Sequence, residues 1–409
     1  LSHASAVIAT TTQSCTDYHR HYDDLHARLT GHTPATPLGA EVTWLLSAER
    51  AAQLAPAGAT QMLLALAALL DGQAIPAGLL TTPAVATWLA EAAAAAPGTA
   101  GDAVQALAAT GLLTLDQEAD PPVARLSQAV GVLARAALPG PVLDRAAVAA
   151  ADALLEIWPP REQPCWLGAG IRSCAAALQA TAARRLWTGA DCHLLLPAAG
   201  HSLDAAGLTG PAVAHWSRLA DTSQRLLGPD TPLTLTAATH LAEALTAAGQ
   251  AAQATAWWQW VIEARTRTCG PAHPATLGAR VSLGQALAAA RQQGDAVTVL
   301  DQALTDHDQA LGPGHPATLT ARAALAAACQ AAGQHADAIR HHWHLLASHE
   351  RLHGARHPAT MTARGQLAAA CHAAGAHSDA IRCYQTTLAD REHALGADHP
   401  DTLTTRRDL

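Results

Sequence analysis

Along the C-terminal half of this chain, apolar and small residues recur at helical spacing. From Gly312 to Gly354 they resolve into two amphipathic stretches. The first opens at Pro316, whose missing N–H is no loss in a first helical turn, with His315 or Thr318 as the expected cap. Leu325 and Cys329 lie at i and i+4 on one face with small Ala between them, and Gly333 is the predicted stop. The second opens at Asp337-Ala338-Ile339, an acid in a first turn complementing the helix dipole. Its core side is predicted to carry Ile339, His342 and Leu346. Two such helices cannot bury their apolar faces alone and need neighbours.

The neighbours are copies. The turn Gly312 to Thr318, with His315-Pro316, returns at Gly270, Gly354 and Gly396 with His273, His357 and His399, and at Gly228 with Thr231, every 42 residues. A fixed period of this size predicts stacked helix pairs, not one closed core. Gly249 and Gly375 match Gly333, but Arg291 stands in the remaining copy, which predicts a less regular turn there. Further columns are Val297, Leu300 and Leu304; Thr255, Trp258 and Ile262; Ile381, Tyr384 and Leu388. Trp216 and Gly207 lie one period before Trp258 and Gly249, so a degenerate copy is expected over 187–228. Leu1 and Leu409 both fall inside patterned segments, and the expectation is a fragment of a longer protein.

Residues 1–150 do not repeat. Leu1 to Leu29 reads as helix, Pro34 and Pro37 as a break, and Val42–Leu54 and Ala59–Leu70 as helices. Ile75-Pro76 is expected to start another helix, and Asp102–Thr110 a fourth. Leu112–Asp116 and Val123–Leu126 read as a small hairpin around the turn Gln117–Pro122, closed by a helix over Ser127–Leu138.

Composition narrows the chemistry. The chain lacks Lys, Asn and Phe, so it has no P-loop lysine, no Schiff-base lysine and no Cys-His-Asn triad. These gaps point to a GC-rich source genome. Net charge is −8, and residues 41–138 carry three Arg against eight acids, which disfavours direct nucleic-acid contact. The eight Cys form no CxxC, and Cys329 and Cys371, one period apart, read as small buried hydrophobes in a reducing compartment. No segment has the length and hydrophobicity of a membrane span, so no membrane partner and a cytoplasmic location are expected. His341, His342, His344, His349 and His353 include pairs at i, i+3 and i, i+4, but no third ligand is specified, and His342 shares a column with Trp258 and Tyr384. The reading is packed core histidine, with no metal. No Ser-His-Asp set sits on a recognisable elbow, and no enzyme activity is expected of this chain.

The small-Leu-Ala-x-x-(Leu/Cys) phrase, Gly, then Asp-Ala-Ile resembles the tetratricopeptide repeat over 187–409. The Leu-Gly-x-x-His-Pro-x-Thr-Leu connector is similar to the kinesin-light-chain type. Leu1 to Tyr18, Trp44 to Arg50, Leu63 to Pro76, Ala109 to Leu113 and Ala151 to Pro159 resemble the region after the nucleotide-binding core of actinobacterial NB-ARC (STAND) signal-transduction ATPases. The fold implied is all-α: a tetratricopeptide-repeat superhelix preceded by a winged-helix-like domain with a small β-hairpin. The domains implied are 1–38, the end of a helical subdomain; 39–140, the winged-helix-like unit; 141–186, a helical linker; and 187–409, five helix pairs and a partial one. Leu126 stands where such proteins usually carry a nucleotide-contacting His. No cofactor is expected in this chain, and ADP or ATP belongs to an upstream domain of a full-length parent.

The implied function is that of a sensor region. It would bind a protein or peptide in the concave groove and control the upstream nucleotide-binding domain of the same polypeptide. A scaffold without a nucleotide switch and the regulatory part of a streptomycete antibiotic-regulator activator are the alternatives. By repeat position, Thr239, Glu243, Val281, Gln285, Ala323, Gln330, Gly365, Gln366 and His372 are the expected groove residues. Arg280, Arg322, Arg364 and Arg406 recur near its edge, either covering neighbouring helices or forming a ladder that grips carboxylates or phosphates. The paired Asn that clamp a peptide backbone in kinesin-light-chain grooves are replaced by Thr239-His240, Val281-Ser282, Ala323-Ala324 and Gly365-Gln366.

Overall fold

Near the N-terminus, α1 (Ser2–Ala9), α2 (Cys15–Thr30) and α3 (Leu38–Leu54) pack around Val7, Tyr18, Val42 and Leu46. The computed structural model describes the chain apart from residues 1, 12–13, 31–37, 57, 94–97, 160–165 and 190. Leu1, Pro34, Pro37 and Cys165 lie outside the described residues. Leu1 to Leu29 is not one helix. Thr10 and Thr11 donate their hydroxyls to Ala6 and Val7 carbonyls (3.0 Å each), the local competition by which threonine ends a helix.

The chain continues through α4 (Ala59–Ala67), β1 (Ile75–Pro76), a 3₁₀ turn (Ala77–Thr81), α5 (Pro83–Ala93) and α6 (Thr99–Ala109). Then come β2 (Thr114–Asp116), β3 (Val123–Arg125) and α7 (Gln128–Ala136), which Ser127 caps by accepting the Val130 N–H. The hairpin and closing helix lie where the pattern predicts. Ile75-Pro76 does not start a helix. It forms the edge of an antiparallel sheet ordered β1-β3-β2, Ile75 opposite Ala124, an edge being where a strand proline costs no ladder bond. Leu126 is buried, and its N–H donates to the Gly72 carbonyl at 2.7 Å. A Cβ at Gly72 would lie 2.5 Å from the Leu126 oxygen, so this approach needs glycine.

Next are α8 (Gly140–Glu156), α9 (Trp166–Ala182), a hairpin of β4 (Trp187–Thr188) and β5 (Asp191–Cys192), and α10 (Leu195–Ala205). Three side chains of α9 reach the loop after α4: Ser173 bonds Asp71, Thr181 donates to Leu69 O (3.1 Å), and Cys174 points at Ala74 O (3.7 Å). Burial pushes the Cys174 thiol up to about 12 and Cys192 to about 11, which leaves both as inert packing groups. Cys329 and Cys371 are buried as expected, whereas Cys15 and Cys269 are exposed.

The chain divides into two compact units, Leu1–Leu208 and Thr209–Leu409. The second begins inside the expected 187–409 span, and α10, the first helix of the degenerate copy, packs on α8 and α9 in the first. It contains α11 (Thr209–Leu227), α12 (Pro232–Ala247), α13 (Ala251–Cys269), α14 (Pro274–Ala289), α15 (Gln293–Leu311) and α16 (Pro316–Ala331). It continues with α17 (His335–His353), α18 (Pro358–Ala373), α19 (His377–Leu395) and α20 (Pro400–Asp408). The even-numbered helices from α12 start 42 residues apart, as do the odd-numbered ones from α11, so the sequence period is the structural period. The fold is all-α in character, a tetratricopeptide-type superhelix of antiparallel pairs with a few short strands.

The turn phrase explains the fixed pitch. Gly270, Gly312, Gly354 and Gly396 end their helices at φ 86–94° and ψ 158–164°, a region open only to glycine. His273, His315, His357 and His399 occupy the N-caps and accept the N–H two residues on through Nδ1, each at 3.2 Å. Thr276, Thr318 and Thr360 donate back to the glycine carbonyl at 2.8–2.9 Å. Of the two capping candidates, His315 caps the helix, whereas Thr318 donates back across the turn and accepts no amide. Thr231 holds the cap position of α12 without bonding an amide. Its hydroxyl meets that of Thr234 at 2.9 Å.

Two expectations are corrected. The column Ile339, Ile381, Val297 and Thr255 lies at the margin of the core. Ile339 is half-buried and packs against the cluster around Leu346 and Leu367, and Val297 and Thr255 are half-buried, whereas Ile381 is 45% exposed. The fully buried column is one residue earlier, Ala254, Ala296, Ala338 and Ala380, where a methyl group fills the space. The turn at Arg291 is regular: its N–H reaches Ala288 O and the Gln292 N–H reaches Leu287 O, the same double bond as at Gly249, Gly333 and Gly375. Arg291 achieves this at φ 61°, among the described residues the one non-glycine at positive φ. Replacing Arg291 by Gly should therefore stabilise the array by about 1 kcal/mol in urea unfolding. Gly284 behaves oppositely. A Cβ there would lie 2.4 Å from Cγ of Leu300, which is itself 1% exposed and has nowhere to move. Gly284→Ala should cost about 1–3 kcal/mol although Ala242, Ala326 and Ala368 fill the equivalent positions, and Leu300→Ala in the same chain should recover part of the loss.

Candidate functional site

The A helices of the array are α12, α14, α16 and α18. α14 packs on both α12 and α16, whereas no consecutive B helices (α13, α15, α17, α19) approach as closely among the described residues, so the A helices form the inner side of this unit. Their open stripe is read from exposure. Thr236, Gly278, Thr320 and Thr362 are exposed, as are Ala247, Ala289, Ala331 and Ala373, with Glu243, Gln285 and Ala327 between. The open face is consequently narrow-stemmed and nearly uncharged.

The predicted groove residues divide. Glu243, Gln285, Gln366 and His372 are exposed, and Gln330 is half-buried. His372 meets the His377 ring at 5.3 Å and Glu243 meets His240 Nδ1 at 2.9 Å. Thr239 is spent within the array, donating to Leu235 O (2.6 Å) and accepting from Arg265 (2.9 Å). Val281 is buried, at 7% exposure, and does not line the face. The column Thr236, Gly278, Thr320 and Thr362 was not anticipated; its small residues at each 42-residue step, threonine in three of the four, were the available signal.

The arginine column is bound to carboxylates of the chain itself. Arg280 bonds Asp306 of α15; Arg322 reaches back to Asp308 of α15 at 3.1 Å. Arg364 does both, taking Asp390 of α19 at 2.7 Å and Glu350 of α17 at 3.2 Å, and also donates to Ala355 O. Arg406 bonds Glu392 at 2.6 Å. The choice follows the columns. An acid lies fourteen positions before Arg322, Arg364 and Arg406 but Thr266 precedes Arg280; an acid lies twenty-six positions after Arg280 and Arg364 but Ser348 follows Arg322. Each guanidinium therefore clips an A helix to the B helix that offers a carboxylate, with its stem covering the joint. A second set was missed: Arg265 donates to Ala275 O (2.7 Å) and Arg391 to Asp401 O (3.0 Å), tying a B helix to the first turn of the next A helix.

The family comparisons agree with this geometry. Residues 234–275, 276–317 and 325–393 match tetratricopeptide-repeat models. These segments are tetratricopeptide repeats. No curated protein matches the chain. Among solved structures, the repeats are similar to nearly identical TPR-like repeats assigned as a kinesin light chain from Podospora anserina. The identity is 24%, with 49% of this chain and 95% of that one covered and a TM-score of 0.46. BtubC (BKLC) from P. vanneervenii is 17% identical, covering 55% of this chain and 88% of that one, TM-score 0.44. A signal transduction ATPase with numerous domains and a tetratricopeptide-repeat sensor, from Pyrococcus horikoshii, is 10% identical, covering 97% of this chain and 61% of that one, TM-score 0.35.

Tetratricopeptide repeats mediate protein–protein interaction, and the arginine clips set how well this surface is held. Arg364 is 7% exposed and serves two carboxylates, one of them, Asp390, largely buried. Arg364→Met should leave that acid only the exposed Arg356, at 3.6 Å, and cost about 3 kcal/mol in urea unfolding, more than Arg406→Met at the exposed pair with Glu392, worth about 1 kcal/mol or less.

Proposed function

We propose that this chain is the sensor region of a signal-transduction ATPase, binding a protein or peptide on the open A-helix face and controlling an upstream nucleotide switch. The observation that carries the reading is the open face itself: four A helices in constant register present small residues outward while the arginines are held by the chain's own acids. Such a face suits a helical or apolar segment that fits closely against backbone, with specificity from Glu243, Gln285, Gln330, Gln366 and His372. Arg280, Arg322 and Arg364 act as supports of the face. The helices and small sheet of the first unit are read as the winged-helix-like module and its linker, and ADP or ATP as ligand of the upstream domain. The location is cytoplasmic.

The test uses the full-length polypeptide that contains this region. Deleting residues 209–409 is expected to release bound ADP and raise nucleotide turnover. Ala327→Arg with Ala331→Arg, exposed and so changing stability by less than about 0.5 kcal/mol, should abolish activation by the physiological partner. Unchanged nucleotide content and turnover on deletion, or a polypeptide without a P-loop domain, overturns the switch and leaves the adaptor reading.

A further inference from the structure

Helix α17 departs from its sister B helices in one respect. Where α13, α15 and α19 carry Trp258, Leu300 and Tyr384 in the central core column, α17 carries His342, and the residue beside it is His341. Both are more than nine-tenths buried, and the Nδ1 atom of each is buried without a hydrogen-bond partner. A neutral imidazole fits such a place; an imidazolium does not, because both ring nitrogens then need acceptors. Further along the helix, His349 stacks on His353 (5.9 Å between centroids) and His353 on His357 (4.5 Å). His357 caps α18 by accepting the Ala359 N–H through Nδ1, so the stack runs from a half-buried α17 residue with its own unpartnered Nδ1 to the first turn of the next A helix.

We propose that α17 is an acid-sensitive latch in the repeat array: proton uptake by His341 and His342 releases it from α16 and α18 and opens the array at this pair.

The surrounding charges do not offset such uptake. His341 faces Arg340 of its own helix and Arg322 of α16, opposed by Asp301 of α15 and Asp337. Arg322 is the one charged residue of α16, and it already holds Asp308. From α18 come Arg364, bonded to Glu350 of α17, and the exposed His372. Burial, aided by Arg340 and Arg322, keeps His341 below the ordinary histidine range, and burial alone keeps His342 below it. His349 is lowered by burial and by His353 and His357. The folded state therefore binds fewer protons than the open state. The stability these groups contribute is whole above the ordinary histidine value, near 6.5, and is lost as pH falls below it. Each histidine that takes up a proton on opening should raise the opening constant about tenfold per pH unit in that range.

Hydrogen exchange by mass spectrometry on the whole chain at pH 7.5 and 5.0, corrected for intrinsic rates, tests this. The expected result is a loss of protection at pH 5.0 in α17 and α18, by about tenfold or more, with α12 and α13 unchanged. The double variant His341→Val, His342→Tyr borrows Val299 and Tyr384 from the same columns and should keep its protection at pH 5.0. Equal protection of the unaltered chain at both pH values, or the same loss in the double variant, overturns the latch. If the double variant does not fold, imidazole NMR of the unaltered chain decides. His341 and His342 titrating below the ordinary histidine value near 6.5 supports it, and both titrating at that value overturns it.

Discussion

A threonine hydroxyl bonded to a glycine carbonyl sets the geometry on which the repeat unit depends. At each inter-pair turn the B helix ends in a glycine conformation closed to other residues, and at Gly228, Gly270, Gly312 and Gly354 the threonine six positions on returns to that glycine's carbonyl, whereas the Thr402 hydroxyl after Gly396 is buried without a partner. The turn between pairs can then close in only one way. In every copy but the first, whose cap position holds Thr231, a histidine supplies the acceptor for the next helix's first turn, and the proline fixes the entry. Because these groups recur at one spacing without insertion, every A helix meets its B helix at the same height. Residue identity in each column is then a statement about space: methyl groups at 254, 296, 338 and 380, and a larger side chain at 216, 258, 300, 342 and 384 opposite small partners. Gly284 shows how narrow the tolerance is, since Leu300 fills the volume that alanine occupies in the sister copies.

Electrostatics follows from the same register. The column arginine of α14, α16 and α18 can reach one B helix behind and one ahead, and which it takes is fixed by where the carboxylate columns are filled. Arg364, with both filled, is the most buried of the set. The guanidiniums are thus part of the structure's internal cohesion. That leaves the face between them close to neutral, which favours shape over charge in what it binds.

The repeat helices, their turns and their principal core column were legible in the sequence because period-42 columns test one another: an error in one copy is exposed by the others. The misreadings have physical causes. The Ile339 column looked like core because it is branched and apolar, yet the tighter contact belongs to the adjacent alanine, and hydropathy does not report closeness of approach. Arg291 looked like a defect because glycine is the usual solution to a left-handed residue, yet the double hydrogen bond of the turn holds an arginine there. Ile75-Pro76 looked like a helix start because proline favours both first turns and strand edges, and only the hairpin's position in space separates the two. In the candidate site, the exposed members Glu243, Gln285, Gln366 and His372 followed from repeat position. The Arg265 and Arg391 ties did not, since their acceptors are backbone carbonyls, which leave no mark in sequence.

A scaffold of this kind leaves two places for individuality. One is the open A-helix stripe, where nothing in the turn geometry dictates the residue and where small side chains nonetheless persist from α12 to α18. The other is the central B-helix column, where any side chain of suitable volume packs. Indole, isobutyl and phenol groups fill it at the other pairs, and imidazole fills it at α17 alone among the described helices. Volume explains why His342 is accommodated there but not why a titratable ring occupies the place of an apolar or phenolic one. The difference lies in what each does when protons become abundant: leucine, tryptophan and tyrosine stay as they are, whereas histidine becomes a cation with an N–H at each ring nitrogen, and its buried Nδ1 has no hydrogen-bond partner here.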